Sequence, residues 1–317
     1  MSEINLIFGT GPLAQAVMRA LLKRGKQVKM VNRSGKRPAG SPAQVELLAG
    51  DAYDPGFTCS VTKDVPVVYQ CAQPPYHQWV TLFPPLQAAI LDGASANGAR
   101  LIVAENLYMY GDTHGLPMTE DLPYAATTRK GRVRAEMARS LFEAHRQGKV
   151  RMAIGRGADF YGPGVLSSSM GERTLAPLLR GKPAEVTGSL DQPHSYTYIN
   201  DFGEALAILG EHDQALGHAW HVPNPAALTQ RQLVTLFFKE AGLPPKFSVM
   251  GKPMLMLGGL FIPAALESVE MRYEFEKPFL VDASQFIQAF GNISTPYEVT
   301  VRETIAWYRQ YLKSLAH

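Results

Sequence analysis

The sequence predicts an α/β fold, namely a Rossmann-type doubly wound parallel sheet with a smaller interleaved α+β substrate domain. Three observations predict it. Short apolar runs alternate with helix-period segments along the first half of the chain. A glycine turn joins the first apolar run to the first helix pattern. Finally, 317 residues with 46% hydrophobic content are enough to bury a large core.

The glycine turn has the spacing G-x-G-x-x-A and follows the apolar run that begins at Ile4. Its two glycines allow a tight turn and a close approach of a ligand to the backbone, and Ala14 allows close helix packing. The free N–H groups and the positive dipole end of the following helix suit a pyrophosphate. We therefore assign dinucleotide contacts to Gly9, Gly11, Pro12 and Leu13, with a purely structural turn as the alternative.

The second apolar run, Gln27 to Val31, ends without an acidic residue. Dinucleotide sites that prefer NAD usually carry a carboxylate there, which binds the free ribose 2′-hydroxyl. Here the run is followed by Asn32, Arg33 and Ser34, and then by two more basic residues. Cations at this point favour a 2′-phosphate, so we predict NADP, with NAD less favoured. A solvated basic loop is the alternative.

Five further apolar runs are predicted as strands, at Val45–Ala49, Val65–Cys71, Arg100–Ala104, Val150–Ile154 and His218–Val222. Ligands bind at the carboxyl ends of such strands. We therefore assign Asp51, Ala52, Ala72 and Gln73 to the cofactor site. Asp51 could accept from the adenine amino group, although a helix cap or a loop hydrogen bond is the alternative.

Helix patterns separate these runs. One begins with Pro84 and Pro85 in its first turn and continues to Gly98, because proline suits a helix start. Others span Thr128 to Gln147 and Phe202 to Leu209, and one is capped by Thr229. A last amphipathic helix, Ala264 to Phe275, is expected to turn Glu274 and other acids toward solvent.

Composition excludes several classes of protein. The net charge of +3 comes from scattered basic residues, which does not favour nucleic acid. The two cysteines, Cys59 and Cys71, support no disulfide framework and fit a reducing compartment, so we expect a cytoplasmic protein. We expect neither a cleaved signal nor a membrane span. Met250 to Pro263 is apolar but too short and interrupted, and is interpreted as a core helix or lid.

Several stretches together resemble the extended branch of the short-chain dehydrogenase/reductase superfamily, of the NAD-dependent epimerase/dehydratase type. They are Gly50-Asp51-Ala52, Tyr108-Met109-Tyr110-Gly111, Arg156 to Gly164 and Tyr196 to Asp201, with a tail of Phe279 to Asp282, Gly291, Thr295-Pro296 and Trp307-Tyr308. The resemblance covers nearly the whole chain. The glycine turn is one residue shorter than is usual in that branch, and its third glycine is Ala14.

The resemblance implies a catalytic Ser or Thr and a Tyr-x-x-x-Lys pair, but this chain departs from that pattern at all three positions. Counting back from Glu136, the pair falls on Thr128 and Arg132, and the Ser position falls on Asn106. A threonine hydroxyl cannot be brought toward neutral pH by a nearby cation as a phenol can, and arginine cannot relay a proton. Arg132 can still bond to the nicotinamide ribose, and Asn106 to a substrate carbonyl.

Substitute proton donors can be named from the same edge of the sheet. Tyr124 lies one helical turn before Thr128, and we predict it as a candidate catalytic residue. The other candidates are Lys130, Tyr108, Tyr110, His114, Asp159 and Tyr161. Of these, Asp159 and Tyr108 are also expected to contact substrate. The resemblance further implies cofactor contacts at Gly157 and Ala158. No metal site is assigned.

The predicted cofactor domain comprises residues 1–165 and 194–223, and the substrate region comprises 166–193 and 224–317, with return segments near 279–291. The first functional hypothesis is an NADP-dependent oxidoreductase acting on a small carbonyl or alcohol. A redox-inactive NADP-binding regulatory or interaction protein and a sugar-nucleotide-type epimerase/dehydratase are the alternatives. The partner is then a small-molecule substrate. The resemblance also implies a homodimer through helices near Leu86–Ala96 and Val133–Phe142.

Overall fold

The computed structural model describes residues 4–250 and 270–315. Its main feature is a seven-stranded sheet in the order β11-β6-β5-β4-β1-β2-β3, in which every neighbouring pair is parallel. The strands are β1 (Ile4–Phe8), β2 (Gln27–Asn32), β3 (Glu46–Ala49), β4 (Val67–Gln70), β5 (Arg100–Glu105), β6 (Arg151–Arg156) and β11 (Ala219–His221). The predicted fold class is confirmed. The direction of chain progression reverses between β1 and β4, which is where doubly wound sheets bind ligands.

Helices cover both faces of this sheet. They are α1 (Pro12–Lys23), α2 (Pro55–Val61), α3 (Trp79–Ala96), α4 (Arg129–Arg146) and α6 (Ile199–Glu211). On one face α3 and α4 are tied by a hydrogen bond from Gln87 Nε2 to Met137 O of 2.9 Å. On the other, a Cβ at Gly203 would lie 2.5 Å from Ala16, so α6 and α1 pack in close contact. This two-sided cover explains why the central residues of the strands are mostly apolar.

The start of α3 differs from the prediction. The helix begins at Trp79, so Pro84 and Pro85 lie inside it and not in its first turn. Trp79 and Phe83, one turn apart, are both buried, and a short 3₁₀ turn at Tyr76–Gln78 leads into them. Proline removes the hydrogen bonds to carbonyls four residues earlier, and those residues, Val80 and Thr81, are exposed to water. Burial of the aromatic pair therefore outweighs the proline signal.

The chain divides into two compact units. The first comprises residues 1–111, 124–157 and 202–222, and the second 112–123, 158–201 and 223–317. Each unit is drawn from separate stretches of the chain, so the two are interleaved in sequence. This division differs from the predicted boundaries at 112–123, 158–165 and 194–201.

The second unit contains short strand pairs and helices. Its strands are β7 (Asp159–Tyr161), β8 (Ala184–Thr187), β9 (Pro193–His194), β10 (Tyr196–Tyr198), β12 (Leu228–Thr229) and β13 (Phe247–Met250). They pair as β7 with β10, β8 with β13 and β9 with β12. Its helices are α5 (Glu172–Leu179), α7 (Gln230–Ala241), α8 (Tyr273–Glu276), α9 (Ser284–Phe290) and α10 (Tyr297–Ser314).

Two predictions for the second unit have clear outcomes. Thr229 caps α7 through a full capping box with Gln232, as predicted. Glu274, expected to face solvent, is instead 2% exposed. The apolar stretch Met250–Pro263 and the start of the helix predicted at Ala264 lie mostly outside the described residues. Among the described helices, none is long and apolar enough to cross a membrane.

Candidate active site

The glycine turn at the carboxyl end of β1 has the geometry of a phosphate cradle. Gly9 has φ of 111°, and a Cβ there would lie 2.9 Å from the backbone nitrogen of Ala72. Gly11 is the N-cap of α1, makes no side-chain cap bond, and would have nothing within 4 Å of a Cβ. The first turn of α1 is therefore uncapped and faces open space. Its first residue, Pro12, has no backbone N–H that would need a partner. These residues fit a dinucleotide pyrophosphate.

The end of β2 is held in shape by Asn32. Its Oδ1 accepts from the Ser34 nitrogen at 3.1 Å, and its Nδ2 donates to Lys36 O at 2.9 Å. Arg33 and Lys36 are exposed, and within residues 4–250 and 270–315 neither forms an ion pair. By contrast, Arg37 donates to two carbonyls of its own loop. The loop therefore presents cations and a hydroxyl where an NAD site would present an acid.

The remaining cofactor candidates lie at the same edge of the sheet. Asp51 follows β3, and its Oδ1 accepts from the Tyr53 nitrogen at 3.1 Å, so the loop hydrogen bond foreseen as an alternative is present. Ala52 is half-buried against the core. Ala72 follows β4 directly beside Gly9, and Gln73 is exposed. The structure thus brings the assigned ends of β1 to β4 together in one unit.

The family positions of the catalytic residues have local structural partners here. Thr128 is the N-cap of α4, and its Oγ1 accepts from the Gly131 nitrogen at 3.1 Å. Arg132 is exposed on the first turns of α4. Asn106 follows β5, and its Oδ1 accepts from the Tyr108 nitrogen at 3.3 Å. A threonine hydroxyl engaged as a helix cap lacks the acidity that the family's tyrosine supplies.

The hydroxyl of Tyr124 is engaged by a buried cation. It accepts from Arg156 Nη2, and Arg156 Nη1 donates to Tyr110 Oη at 2.6 Å. Tyr110 Oη is also 2.8 Å from His221 Nε2. Arg156 and His221 are fully buried, at 0% exposure. Tyr124 therefore completes an interior hydrogen-bond network.

Arg156 belongs to an ion cluster beneath α4 that the sequence analysis missed. Glu105 accepts from Arg156 Nε at 3.1 Å and lies 3.4 Å from Arg134 Nη2. Burial acts to lower the pKa of Arg156, but the attraction of Glu105 and the two phenols outweighs it and raises that pKa. Burial lowers the pKa of Arg134. The signal in the sequence was a charged residue ending each of two apolar strands, which pair in register as Glu105 and Arg156.

A second cluster joins aromatic rings and a lysine at the ends of β4 and β5. The hydroxyls of Tyr76 and Tyr108 are 3.5 Å apart. Lys130 Nζ lies 4.4 Å from the centroid of the Tyr76 ring, and Lys130 is 1% exposed. Trp79 packs edge-on against Tyr76, with ring centroids 5.0 Å apart, and lies beside Tyr108. Tyr108 and Lys130 were named from sequence, but Tyr76 was missed because the apolar run before it ends at a proline pair.

The residues that follow β6 are engaged within their own units. A Cβ at Gly157 would lie 2.6 Å from the Phe202 ring, so this glycine is required for packing. The Ala158 nitrogen donates to Thr197 Oγ1 at 2.9 Å. In the second unit, Asp159 Oδ2 is 2.9 Å from His194 Nε2. The assignments of Gly157 and Ala158 to the cofactor and of Asp159 to substrate stay predictions.

Comparison with known proteins now adds to this geometry. A model of the NAD dependent epimerase/dehydratase family matches residues 6–222. A search of curated proteins finds no match. Epimerase Mth375 from Methanothermobacter thermautotrophicus is similar in structure, with a TM-score of 0.82 at 14% identity, covering 99% of this chain and 94% of that one.

Two further solved structures are similar over 98% of both chains, at 16% identity. One is UDP-glucuronic acid 4-epimerase from Bacillus cereus in complex with NAD, with a TM-score of 0.78. The other is DesIV, a dTDP-glucose 4,6-dehydratase from Streptomyces venezuelae with NAD and TYD bound, with a TM-score of 0.79. At these identities the likeness shows a shared fold.

Proposed function

The chain belongs to the NAD dependent epimerase/dehydratase family, and on that premise we propose that it is an NADP-dependent oxidoreductase acting on a small carbonyl or alcohol. One observation carries the proposal. The cradle at Gly9 and Gly11 stands in the same unit as a β2 end that presents Arg33, Ser34 and Lys36. A phosphorylated dinucleotide requires both features.

Each group at this edge has a role in the proposal. The start of α1 would bind the pyrophosphate, and the guanidinium of Arg33 would bind the 2′-phosphate. Arg33 lies 5.9 Å from the centroid of the Tyr53 ring, which restricts its movement. Arg132 and Asn106 would orient the nicotinamide ribose and the substrate carbonyl. A bound dihydronicotinamide would supply the hydride.

A small substrate is favoured over a sugar nucleotide. Several of the similar solved structures contain NAD, and some of these also contain UDP-glucuronic acid, UDP-glucose or TYD. A diphosphate ligand requires convergent cations in the second unit. There, His194 is buried against Asp159, and Arg231 is paired with Asp191. An epimerase or dehydratase of nucleotide sugars is supported by family membership and by the fold shared with the solved relatives, and a shared fold does not by itself imply a shared reaction.

A redox-inactive NADP-binding protein is the second candidate. The observation that favours it is the engagement of Thr128 Oγ1 as the cap of α4, together with arginine at position 132. Such a protein would bind the dinucleotide without transferring hydride. A homodimer through α3 and α4 also stays a prediction, which light scattering of the purified protein tests.

Turnover assays separate these candidates. NADPH and NADH are each offered with a panel of aldehydes and ketones, and NADP⁺ and NAD⁺ with the matching alcohols. We expect substrate-dependent loss of dihydronicotinamide absorbance, faster with NADPH than with NADH, and slower in Gly11→Ala than in the parent at limiting NADPH. Tight NADPH binding with no turnover across the panel would instead select the redox-inactive candidate.

A further inference from the structure

The family's tyrosine is replaced at Thr128, so the proposed reduction needs another proton donor. Tyr124 is held by Arg156 in the buried network, and Thr128 is held as a helix cap. Arginine cannot supply the proton, because its pKa is above 12 in proteins. A donor has to combine a tyrosine-like acidity with a position at the carboxyl edge of the sheet.

The Tyr76–Tyr108 cluster meets both conditions. Tyr108 follows β5 by three residues and adjoins Asn106, and Tyr76 follows β4 by six. Both strands end at the edge that carries the glycine cradle, since β4 pairs directly with β1 and β5 with β4. Both tyrosines are half-buried, so each ring is fixed while remaining in reach of solvent or ligand.

Lys130 supplies the charge that such a donor needs. Its ammonium lies over the Tyr76 ring, and its side chain is almost wholly buried in the first turn of α4. A cation in a low-dielectric setting stabilises nearby negative charge more strongly than it would in water. Lys130 therefore stabilises a phenolate formed in the Tyr76–Tyr108 pair, which it reaches through the Tyr76 ring. Arg134, 4.6 Å from the Phe83 ring, adds a second buried cation behind Trp79.

We propose that Tyr108 is the proton donor of the reduction, with Tyr76 as its relay to solvent and Lys130 as the cation that stabilises the phenolate. This rests on the proposed oxidoreductase function. A bound dihydronicotinamide would supply the hydride to the carbonyl carbon and be oxidised to the nicotinamide. The carbonyl oxygen would then form a bond to the proton of Tyr108, whose O–H bond breaks and leaves a phenolate. The Tyr108 phenolate then takes the proton of Tyr76, and Tyr76 recovers one from water.

The experiment combines a kinetic and a spectroscopic readout. Four variants are compared with the parent: Tyr108→Phe, Tyr76→Phe, Lys130→Met and, because Lys130 is buried, the charge-preserving Lys130→Arg. The matched control is Tyr311→Phe, which removes a phenol from α10 that bonds to Glu172. Melting curves and NADPH dissociation constants establish that each variant folds and binds cofactor.

We expect Tyr108→Phe to lower kcat by at least about 100-fold, the usual size of a general-acid contribution, with NADPH binding within about twofold. Tyr76→Phe should lower kcat less. The rate of the parent should fall as pH rises, because the donor loses its proton. Lys130→Met should move this fall to higher pH, because the phenolate loses its stabilising cation. Lys130→Arg should have a pH profile close to that of the parent. Tyr311→Phe should change neither rate nor pH profile.

Titration of tyrosinate absorbance with NADP⁺ bound gives the second readout and needs no substrate. The parent should show one tyrosine that ionises at lower pH than the rest, and Tyr108→Phe should remove it. If no tyrosine ionises early, or if Tyr108→Phe turns over at the parental rate, the assignment is wrong while the oxidoreductase function stands. If NADPH binds and no substrate turns over, the oxidoreductase function fails, and the titration still decides whether Tyr108 is the tyrosine that ionises at lower pH than the rest.

Discussion

Gly9 and Gly11 are two residues apart in one turn, but the fold itself requires a glycine only at Gly9. Gly9 has φ of 111° and contacts the backbone of Ala72, so its role is in the fold itself. Gly11 has φ of −71°, which any residue adopts, and faces open space. Packing therefore does not require glycine at position 11, whereas the proposed pyrophosphate contact does.

Alanine substitutions should separate these two roles. Gly11→Ala should keep the melting temperature of the parent but weaken NADPH binding by at least about tenfold, because the methyl group occupies the cradle. Gly9→Ala should lower both the melting temperature and the affinity for NADPH, because backbone strain and a 2.9 Å contact with Ala72 distort the turn. Thermal unfolding and calorimetric titration measure the two effects. Unchanged NADPH affinity in Gly11→Ala would contradict the assignment of the glycine turn as the pyrophosphate site.

Glu274 in the second unit is an acid that the amphipathic pattern predicted to face solvent and that the structure buries. It is buried with no hydrogen-bond partner at Oε1, close to Asp159 and to His194, whose Nδ1 is 3.2 Å from Glu274 O. Burial, and then repulsion from Asp159, raise the pKa of Glu274 well above its usual value. The folded protein therefore keeps a proton that the unfolded chain releases.

This difference predicts how stability depends on pH. Above the unfolded pKa of about 4.3 the unfolded chain binds fewer protons, so Glu274 lowers the free energy of unfolding as pH rises toward its folded pKa. Glu274→Gln removes the effect and should stabilise the protein by on the order of 1 kcal/mol at neutral pH, and by nothing near pH 4. Denaturant unfolding at both pH values measures it. The exposed Glu298→Gln is the control, and equal stability of Glu274→Gln and the parent at neutral pH would contradict the burial.

At the scale of elements, α4 shows that the residue at the family's tyrosine position, Thr128, has a structural role. Its start was predicted at Thr128, and the structure confirms the helix from Arg129 with Thr128 as the cap. The Thr128 hydroxyl accepts the cap hydrogen bond, and as an aliphatic alcohol it lacks the acidity of a tyrosine phenol. A Cβ at Gly131 would lie 2.6 Å from Tyr108 O, so the first turn of α4 also fixes the loop that carries Tyr108.

The cap should have a measurable energy. Thr128→Ala leaves the Gly131 N–H without its acceptor and should cost about 1 kcal/mol of stability. Thr128→Asn, which retains a capping oxygen, should lie within a few tenths of a kcal/mol of the parent. Urea unfolding of the three proteins compares them. Equal stability of all three would show that Thr128 is not retained for capping.

Local patterns predicted most elements, and contacts between distant residues explain the failures. The seven sheet strands were each located to within about two residues, because buried parallel strands are continuous apolar runs. The start of α3 was missed because burial of Trp79 and Phe83 overrode the proline signal. The ion cluster of Glu105 and Arg156 depends on strand register across 51 residues, which no local pattern contains.

At the scale of the whole molecule, two units interleave along one chain, and the predicted dinucleotide contacts fall in the first unit except for Ala158, which belongs to the second. The sequence predicted the interleaving but placed 158–165 and 194–201 with the cofactor unit. These segments form β7 and β10, which pair with one another. The pairing of β7 with β10 therefore determines which unit the two segments belong to. This pairing cannot be predicted from either segment alone.

The most direct test of the central claim is a calorimetric titration of the protein with NADPH and with NADH. We predict that NADPH binds at least about tenfold more tightly, a difference of about 1.4 kcal/mol. Arg33→Ala should weaken NADPH alone, and Arg302→Ala, an exposed arginine of α10, should weaken neither. Equal affinities for the two dinucleotides, or a failure to bind either, would contradict the account.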